Sequence, residues 1–462
     1  MLICCLLCLP LLLTSLLLLL LRLRKCQKGT IGFFHPYCAA GGGGERVLFA
    51  AIRALQKQHP QTRAIVYTGD LPSLSSKKIL RKASDRFGIE LAEEGVQFVP
   101  LRSRWLLEAS TWPVATLVGQ TFIAGTLVSL EALLRLKPEV MLDTMGAPAT
   151  LPIFRFIGGC RVGCYVHYPT ISTDMLSRVA ERKEAYNNRG LLARNPLLAS
   201  LKLLYYRLFA AAYALVGRAS QVTMVNSSWT HGHIASMWGG KPTIVYPPCD
   251  VASFRALQVR SEEEEQLRIL SIGQFRPEKD HRLQLESFAY FLQHYHQTQR
   301  EPQLVLVGSC RNAEDEQRVA ELKTYADSLK IPQQRISWLL NIPFDQLKEE
   351  VSRATVGLHA MWCEHFGIGV VEALAGGNLV VAHDSGGPKL DIVGPESEGR
   401  GFLASEAAGY AAAFARIDAM SPEERQKMRA QAGESMERFS EEKFAEGFLD
   451  AVGPLLERRK SE

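Results

Sequence analysis

Two glutamates eight residues apart, Glu364 and Glu372, bracket the segment Glu364-His365-Phe366-Gly367-Ile368-Gly369-Val370-Val371-Glu372. Carboxylates accept hydrogen bonds from paired sugar hydroxyls, so one could hold a hexose and the other a ribose. On a continuous helix eight steps turn about 800°, which leaves the two side chains about 80° apart. The glycines favour a different arrangement, with Glu364 on a loop and Glu372 one or two turns inside a helix. That helix would start near Phe366, Gly367 and Ile368 and aim unbonded amides at a phosphate. Two unrelated surface glutamates are the plainer alternative, although Phe-Gly-x-Gly is odd on an exposed helix.

Four further clusters could share that chemistry. Gly273-Gln274-Phe275-Arg276-Pro277-Glu278-Lys279 holds two cations, Arg276 and Lys279, that could clamp a diphosphate. Ordinary surface loops also hold such cations. Ser385-Gly386-Gly387-Pro388-Lys389-Leu390-Asp391 offers a Gly-Gly turn, either a source of amides for an oxygen-rich ligand or simply a tight turn. Gly41-Gly42-Gly43-Gly44-Glu45-Arg46 follows a β-prone run and opens a helix, a place where backbone N–H groups meet anions. It is neither a Walker loop nor a dinucleotide fingerprint, and a flexible turn would read the same way. Tyr165-Val166-His167-Tyr168-Pro169 places His167 after another β-prone run, as a partner for a sugar hydroxyl or as a structural histidine. Asp143 ends the preceding run and could line the same cleft.

The elements that must position these groups alternate. Thr30 to Phe34, Ala64 to Thr68, Val96 to Leu101, Val140 to Asp143, Val162 to Val166 and Gln221 to Val225 read as strands, with helices such as Glu45 to Gln58 between them. The pattern restarts at Ile269 to Ile272 and continues through Gln303 to Val307, Arg335 to Trp338, Val356 to Leu358 and Leu379 to Ala382. Strands alternating with helices predict an α/β fold with parallel sheets covered on both faces. Tyr246-Pro247-Pro248-Cys249-Asp250 reads as a linker, because two prolines continue neither helix nor central strand. The expected parts are a lobe over 29–245, the linker 246–250, a lobe over 251–430, and a closing section 431–462 returning to the first lobe.

Bulk properties narrow the class. With 47% hydrophobic and 22% charged residues, the 462-residue chain can bury a core and is not a disordered protein. A net charge of +5 without a basic block argues against nucleic acid. Leu2 to Leu21 carries no charge, and twenty helical residues span about 30 Å, a bilayer core. No positive region precedes it and no convincing cleavage site follows, so 1–28 is expected to be an anchor with a basic flank rather than a signal peptide. Arg22, Arg24, Lys25 and Lys28 would keep the large C-terminal part in the cytosol. Ten cysteines, four of them in or beside the anchor (Cys4, Cys5, Cys8 and Cys26) and the rest scattered, with no pair of CxxC motifs, suit free thiols in a reducing compartment. Thr116 to Leu136 and Leu191 to Val216 are apolar; each reads as a core helix or as one lying in a membrane interface, its cations reaching headgroups.

The five clusters, in this order, resemble the GT-B glycosyltransferases of family four, which carry a Glu-x7-Glu signature in the second lobe. The resemblance covers nearly all of residues 30–450. Within that family GGGGERVL, YVHYPTISTDML, NSSWT, VYPPCD, GQFRPEK, MWCEHFGIGVVE and SGGPKLDIV are similar to the branch that extends lipid-linked oligosaccharides from GDP-mannose. The resemblance implies two Rossmann-like lobes with parallel sheets facing a central cleft, and an N-terminal transmembrane helix. It also implies a retaining α-1,2-mannosyltransferase of the endoplasmic reticulum membrane, single-pass with a cytosolic catalytic part. That enzyme would add the fourth and fifth mannoses to dolichyl-diphosphate-linked Man3GlcNAc2, alongside other cytosolic-face mannosyltransferases. No metal or other cofactor is expected.

By motif match Glu364 would contact mannose, Glu372 the ribose, and Arg276 and Lys279 the leaving diphosphate, helped by amides at Phe366, Gly367, Ile368, Gly386 and Gly387. Gly41 to Gly44, with Gly42, Gly43 and Gly44 nearest the donor, would approach phosphates or acceptor, and His167 the donor sugar. Gln274 stands where the family usually has an arginine. A different nucleotide sugar or acceptor, or a non-catalytic membrane scaffold, is the alternative; a phosphorylase would need a pyridoxal-binding lysine, for which there is no good candidate.

Overall fold

The computed structural model describes residues 25–113, 115–171, 196–257, 266–295, 300–310, 312–395 and 398–457. The expected anchor over Leu2 to Leu21 lies outside the described residues, as does the start of the second apolar segment with Arg194. The chain divides into two compact units. One comprises Met1–Asn226, Thr230–Tyr246 and Ala445–Glu462; the other comprises Ser227–Trp229 and Pro247–Phe444.

Among the described residues the first unit is built on seven strands: β1 (Gln27–Phe34), β2 (Arg63–Thr68), β3 (Val96–Pro100), β4 (Pro138–Asp143), β5 (Arg161–Val166), β6 (Val222–Val225) and β7 (Thr243–Ile244). Every pairing is parallel, in the order β3-β2-β1-β4-β5-β6-β7. Parallel strands are covered on both faces, which explains their unbroken apolar runs. Phe33, Phe34, Ile65, Val66, Met141 and Leu142 are all fully buried. Strand β7 was not anticipated, because two residues give no periodicity to read.

Helix α1 (Gly43–Gln58) covers the sheet with Val47, Leu48, Phe49, Ala51, Ile52 and Leu55. Helix α2 (Thr116–Arg135) buries Val128, Ala132 and Leu133 while Ile123, Leu127 and Leu134 stay exposed. Its Gly119–Ala124 portion is widened into π turns. Trp112 fills the space a Cβ at Gly119 would occupy, only 2.3 Å from its ring. By length and apolarity α2 could cross a membrane, yet 44% of its apolar window is buried, as in a core helix with one uncovered face. Helix α3 (Pro196–Gly217) exposes Leu204, Leu208 and Leu215, whose four- and seven-residue spacing puts them on one stripe. Phe122 of α2 and Phe209 of α3 join the two helices with ring centroids 5.3 Å apart.

The second unit repeats the plan with β8 (Gln266–Ile272), β9 (Glu301–Gly308), β10 (Ile336–Leu340), β11 (Val356–His359), β12 (Leu379–His383) and β13 (Phe402–Ala404). All are parallel in the order β10-β9-β8-β11-β12-β13. Strand β13 is the addition to the sequence expectation. Leu267, Ile269, Phe275, Leu285, Phe288, Leu304, Val381 and Phe414 belong to one core. Helix α4 (Ile368–Ala375) follows the β11 loop, and α5 (Glu441–Leu456) passes into the first unit from Ala445. There Leu455 lies against Gly163, where a Cβ would come within 2.9 Å of it. In both sheets the order reverses between the first and fourth strands, and ligands of such folds bind beyond the carboxyl ends at that reversal.

Candidate active site

Strands β8 and β11 flank the reversal in the second unit, and their following loops meet. Lys279 ends the loop after β8, its short helical turn Pro277–Lys279 stopped by Asp280 in the left-handed region at φ +46°. Its Nζ donates to Glu364 Oε2 at 2.5 Å and contacts Met361 Sδ at 3.3 Å. His359, the last residue of β11, places Nε2 3.2 Å from the same oxygen. Burial opposes ionisation of Glu364, but the Lys279 ammonium and the His359 contact outweigh it and hold the carboxyl well below its usual range. A carboxylate and an ammonium thus stand together, the ammonium side chain 26% exposed and able to meet an anion.

Glycines fix the loop that carries Glu364. Gly386, at φ +61°, and Gly387 press against it so closely that added Cβ atoms would lie 2.3 Å from the Glu364 carbonyl and 2.4 Å from the Phe366 carbonyl. The Gly387 amide donates to the Glu364 carbonyl at 2.8 Å. This corrects the expectation that Gly387 offers its amide to a ligand: the hydrogen is spent on shaping the loop. Ser385 Oγ accepts the Cys363 amide at 2.8 Å and is itself 2.9 Å from His383 Nδ1. Helix α4 begins after Gly367 (φ +109°), so the amides of Ile368 and Gly369 lie in a first turn without intrahelical acceptors. Phe366 is buried edge-on against Phe439 at 5.2 Å, so its side chain is core. Glu372 sits in the second turn of α4, partly buried. Arg276 is not brought to Glu364; it pairs with Glu278 at 3.7 Å, its side chain 42% exposed. Asp391 is buried and accepts the amide (3.0 Å) and hydroxyl (2.5 Å) of Ser228, an internal tie within the second unit.

The first unit has its own cluster at the β1/β4 reversal. His35, one residue past β1, is fully buried between Thr144 Oγ1 (2.9 Å) and Glu45 Oε1 (3.2 Å). The other Glu45 oxygen accepts the Gly42 amide, which caps α1 and removes that amide from any ligand. The Gly43 and Gly44 amides lie in the first turn of α1. A Cβ at Gly44 would stand 3.5 Å from His167 Nε2 and 3.8 Å from His35, so the loop passes close over both rings. His167 Nε2 lies 3.2 Å from the Thr144 carbonyl, and its ring is 4.9 Å from that of Tyr165. Asp143 does not line an open surface. It is 2% exposed and accepts the Met145 amide at 3.0 Å; burial raises its carboxyl to about 6, against the amides of Met145, Ala147 and Gly146.

Residues 28–238 match the family described as ALG11 mannosyltransferase N-terminus, and residues 254–455 the family Glycosyl transferases group 1. The protein named GDP-Man:Man(3)GlcNAc(2)-PP-Dol alpha-1,2-mannosyltransferase in Mus musculus is 49% identical over 435 residues, 93% of this chain and 88% of that protein. Its Homo sapiens counterpart is 48% identical over 463 residues, 97% of this chain and 93% of that protein. The chain belongs to this mannosyltransferase family. The structure of Anabaena Alr3699/HepE in complex with UDP and glucose superposes with a TM-score of 0.62 at 15% identity, covering 92% of this chain and 99% of that one. That likeness speaks for the fold, which is GT-B.

In this member of the mannosyltransferase family, sequence reasoning missed His35, Thr144, His359 and His383. The signal was available for the histidines. Each stands at or one residue past the carboxyl end of a strand, and His359 precedes Glu364 by five positions. Among the described residues no group of three or more His, Cys, Asp or Glu side chains is placed to hold a metal ion.

Proposed function

We propose that this chain transfers mannose from GDP-mannose to dolichyl-diphosphate-linked Man3GlcNAc2, making the α-1,2 bonds of the fourth and fifth mannoses at the endoplasmic reticulum membrane. The Lys279–Glu364 contact at 2.5 Å carries the reading. It sets a cation for the leaving diphosphate beside a carboxylate for sugar hydroxyls, and the names of the relatives supply donor and acceptor. Lys279, with Arg276 reaching in from its exposed position, neutralises charge that develops on the β-phosphate as the glycosidic bond breaks. The Ile368 and Gly369 amides assist. Glu364 orients the mannose, and Glu372 the ribose. In the first unit His167 and the Gly43 and Gly44 amides are the groups offered to substrate.

An α-linked donor and an α-linked product mean retention. Glu364 already shares one oxygen with Lys279 and His359, so it is a poor nucleophile. The leaving phosphate oxygen therefore takes the acceptor proton on the same face of the sugar, and a trapped mannosyl–Glu364 adduct would refute this step. GT-B transferases commonly work without bound metal, and here the fixed cations supply the charge, so excess chelator should leave turnover unchanged. The exposed aliphatic side chains of α2 and α3 support a lipid-linked acceptor approached at a membrane surface, the catalytic part facing the cytosol.

The deciding experiment incubates the purified chain with GDP-mannose and lipid-linked Man3GlcNAc2. The expected product is heavier by two hexoses and loses both to an α-1,2-mannosidase. Equal transfer from UDP-glucose, or no transfer from GDP-mannose, would overturn the assignment.

A further inference from the structure

Between β11, β12 and α4 the second unit holds a small cavity of about 20 Å³ whose lining includes Ile272, His359, Val370, Asn378 and Val380. Two of those residues carry buried polar atoms without hydrogen-bond partners among the described residues. Asn378 is 1% exposed and donates its amide hydrogens to the carbonyls of Val351 (2.8 Å) and Ala354 (3.1 Å), leaving Oδ1 unbonded. His359 gives Nε2 to Glu364 Oε2 at 3.2 Å, leaving Nδ1 buried and unbonded. Buried polar atoms are nearly always partnered, and two exceptions beside one small cavity call for a common cause.

The chemistry of the two atoms defines what fits. Nε2 faces a carboxylate, which only accepts, so the ring hydrogen belongs on Nε2 and Nδ1 presents a lone pair. Asn378 Oδ1 is also an acceptor. Neither can supply a donor to the other, so each calls for an O–H or N–H from elsewhere in the cavity. A cavity needs roughly 10–15 Å³ to admit a water, and at about 20 Å³ this one clears that threshold.

We propose that this cavity binds a single structural water, donating to His359 Nδ1 and Asn378 Oδ1, and that His359 is thereby fixed as a positioning residue for Glu364. The water holds the imidazole hydrogen on Nε2. His359 and Lys279 then both engage Oε2, while Oε1, which accepts no hydrogen bond among the described residues, is turned toward the hydroxyls of the transferred sugar. The inference rests on the reading of Glu364 as the sugar-binding carboxylate.

The test uses the purified full chain with GDP-mannose and the lipid-linked acceptor. His359→Leu should lower kcat roughly 10- to 100-fold, the range for loss of a hydrogen bond to a charged group, while GDP affinity changes by no more than about threefold. In a Glu364→Gln background the same substitution should cost no more than about threefold, because its effect passes through the carboxylate. Equal losses in both backgrounds would mean a merely structural histidine and overturn the positioning role. Should His359→Leu not fold, His359→Gln serves, since its amide can restore the donor: turnover within about tenfold of wild type is expected. A folded His359→Gln as impaired as an alanine at Glu364 would refute the role. A crystal structure should show one water within about 2.7–3.2 Å of both orphan atoms, and an empty cavity would refute the water site. Undiminished turnover of Glu364→Gln would instead remove the underlying reading of the site, with the water judged by density alone.

Discussion

Each unit mounts a histidine–glutamate pair at the carboxyl ends of its sheet, and both pairs are 3.2 Å apart, yet the two do different work. In the first unit Glu45 spends one oxygen on His35 and the other on the Gly42 amide, and His35 is wholly buried. Burial works against that carboxylate's charge, but His35 and the amides around the helix start outweigh it and lower its pKa. In the second unit His359 and Lys279 converge on one Glu364 oxygen and, among the described residues, leave the other unclaimed, and Lys279 is partly open to solvent. A carboxylate with both oxygens spent holds a loop; one with an oxygen in reserve and a cation beside it is equipped for a ligand. The charge of Glu364 does not depend on mild acidity, because its pKa lies well below the usual carboxylate range.

The sharpest way to break that contrast is to remove the cation. Lys279→Ala should lower kcat per folded molecule by roughly 10²–10³-fold, the loss typical of one charge-stabilising group, and should also lower the thermal midpoint, because Glu364 loses the cation that offsets its burial. A purified Lys279→Ala enzyme turning over at near wild-type rate would erase the functional half of the comparison. Glu45→Gln should largely spare the rate. It weakens a buried bond to His35 and a helix cap, and should cost about 1–3 kcal/mol of stability, with turnover per folded molecule reduced far less. Chemical denaturation alongside active-site-titrated rates checks this, and a large kcat defect at unchanged stability would place Glu45 in the chemistry.

A third test uses pH to separate folding from catalysis in the second unit. His281 stacks on Phe275 at 4.8 Å; burial, then the charges of Lys279 and Arg318, lower its pKa from 6.5 to about 4. The unfolded chain therefore binds a proton between those values that the folded chain refuses. Stability is fully present above pH 6.5 and falls through the window by about 1.4 kcal/mol per pH unit from this residue. Denaturation midpoints measured between pH 7 and pH 4 should flatten in His281→Phe, while the acid limb of kcat, if Glu364 acts as argued, should not follow the same curve.

How much of this was legible in the sequence depended on whether the signal was local. Strands β1 to β6 and β8 to β12 were readable as apolar runs because parallel strands are buried on both faces. Strands β7 and β13 were not, being two and three residues long with no period to detect. Glu364, Glu372, Lys279 and the glycines were visible as motifs, since close backbone approach and paired charges demand particular residue types. What the motif could not reveal was which hydrogen each glycine donates and to whom. The Gly387 amide turned inward to Glu364, and the Gly42 amide to Glu45, because each loop needed an internal partner more than an open one. His359 and Asn378 escaped notice for a related reason: 19 residues apart in sequence, at the end of β11 and just before β12, they share only the lining of one cavity in the folded unit.

The smallest expected effect concerns the second cation, and it sharpens the comparison from inside the site. Lys279 is held on Glu364 at 2.5 Å, whereas Arg276 lies on the exposed flank of the same loop, paired among the described residues with Glu278 at 3.7 Å. An exposed ion pair of that length contributes little, so Arg276 retains most of its rotamer freedom and must be ordered by the substrate itself. Ordering a long side chain offsets part of what its charge gains, so its net contribution should be well below that of a cation already in place. Arg276→Ala is therefore expected to cost about tenfold in kcat/KM, chiefly through a higher KM for GDP-mannose, with stability unchanged. Arg276→Lys should recover less than half of that loss on a logarithmic scale, because a point charge lacks the paired donors that suit a diphosphate. A kcat loss as deep as that of Lys279→Ala would show that Arg276 swings fully onto the leaving group in the transition state, and the exposed flank of the loop would then belong to the catalytic centre.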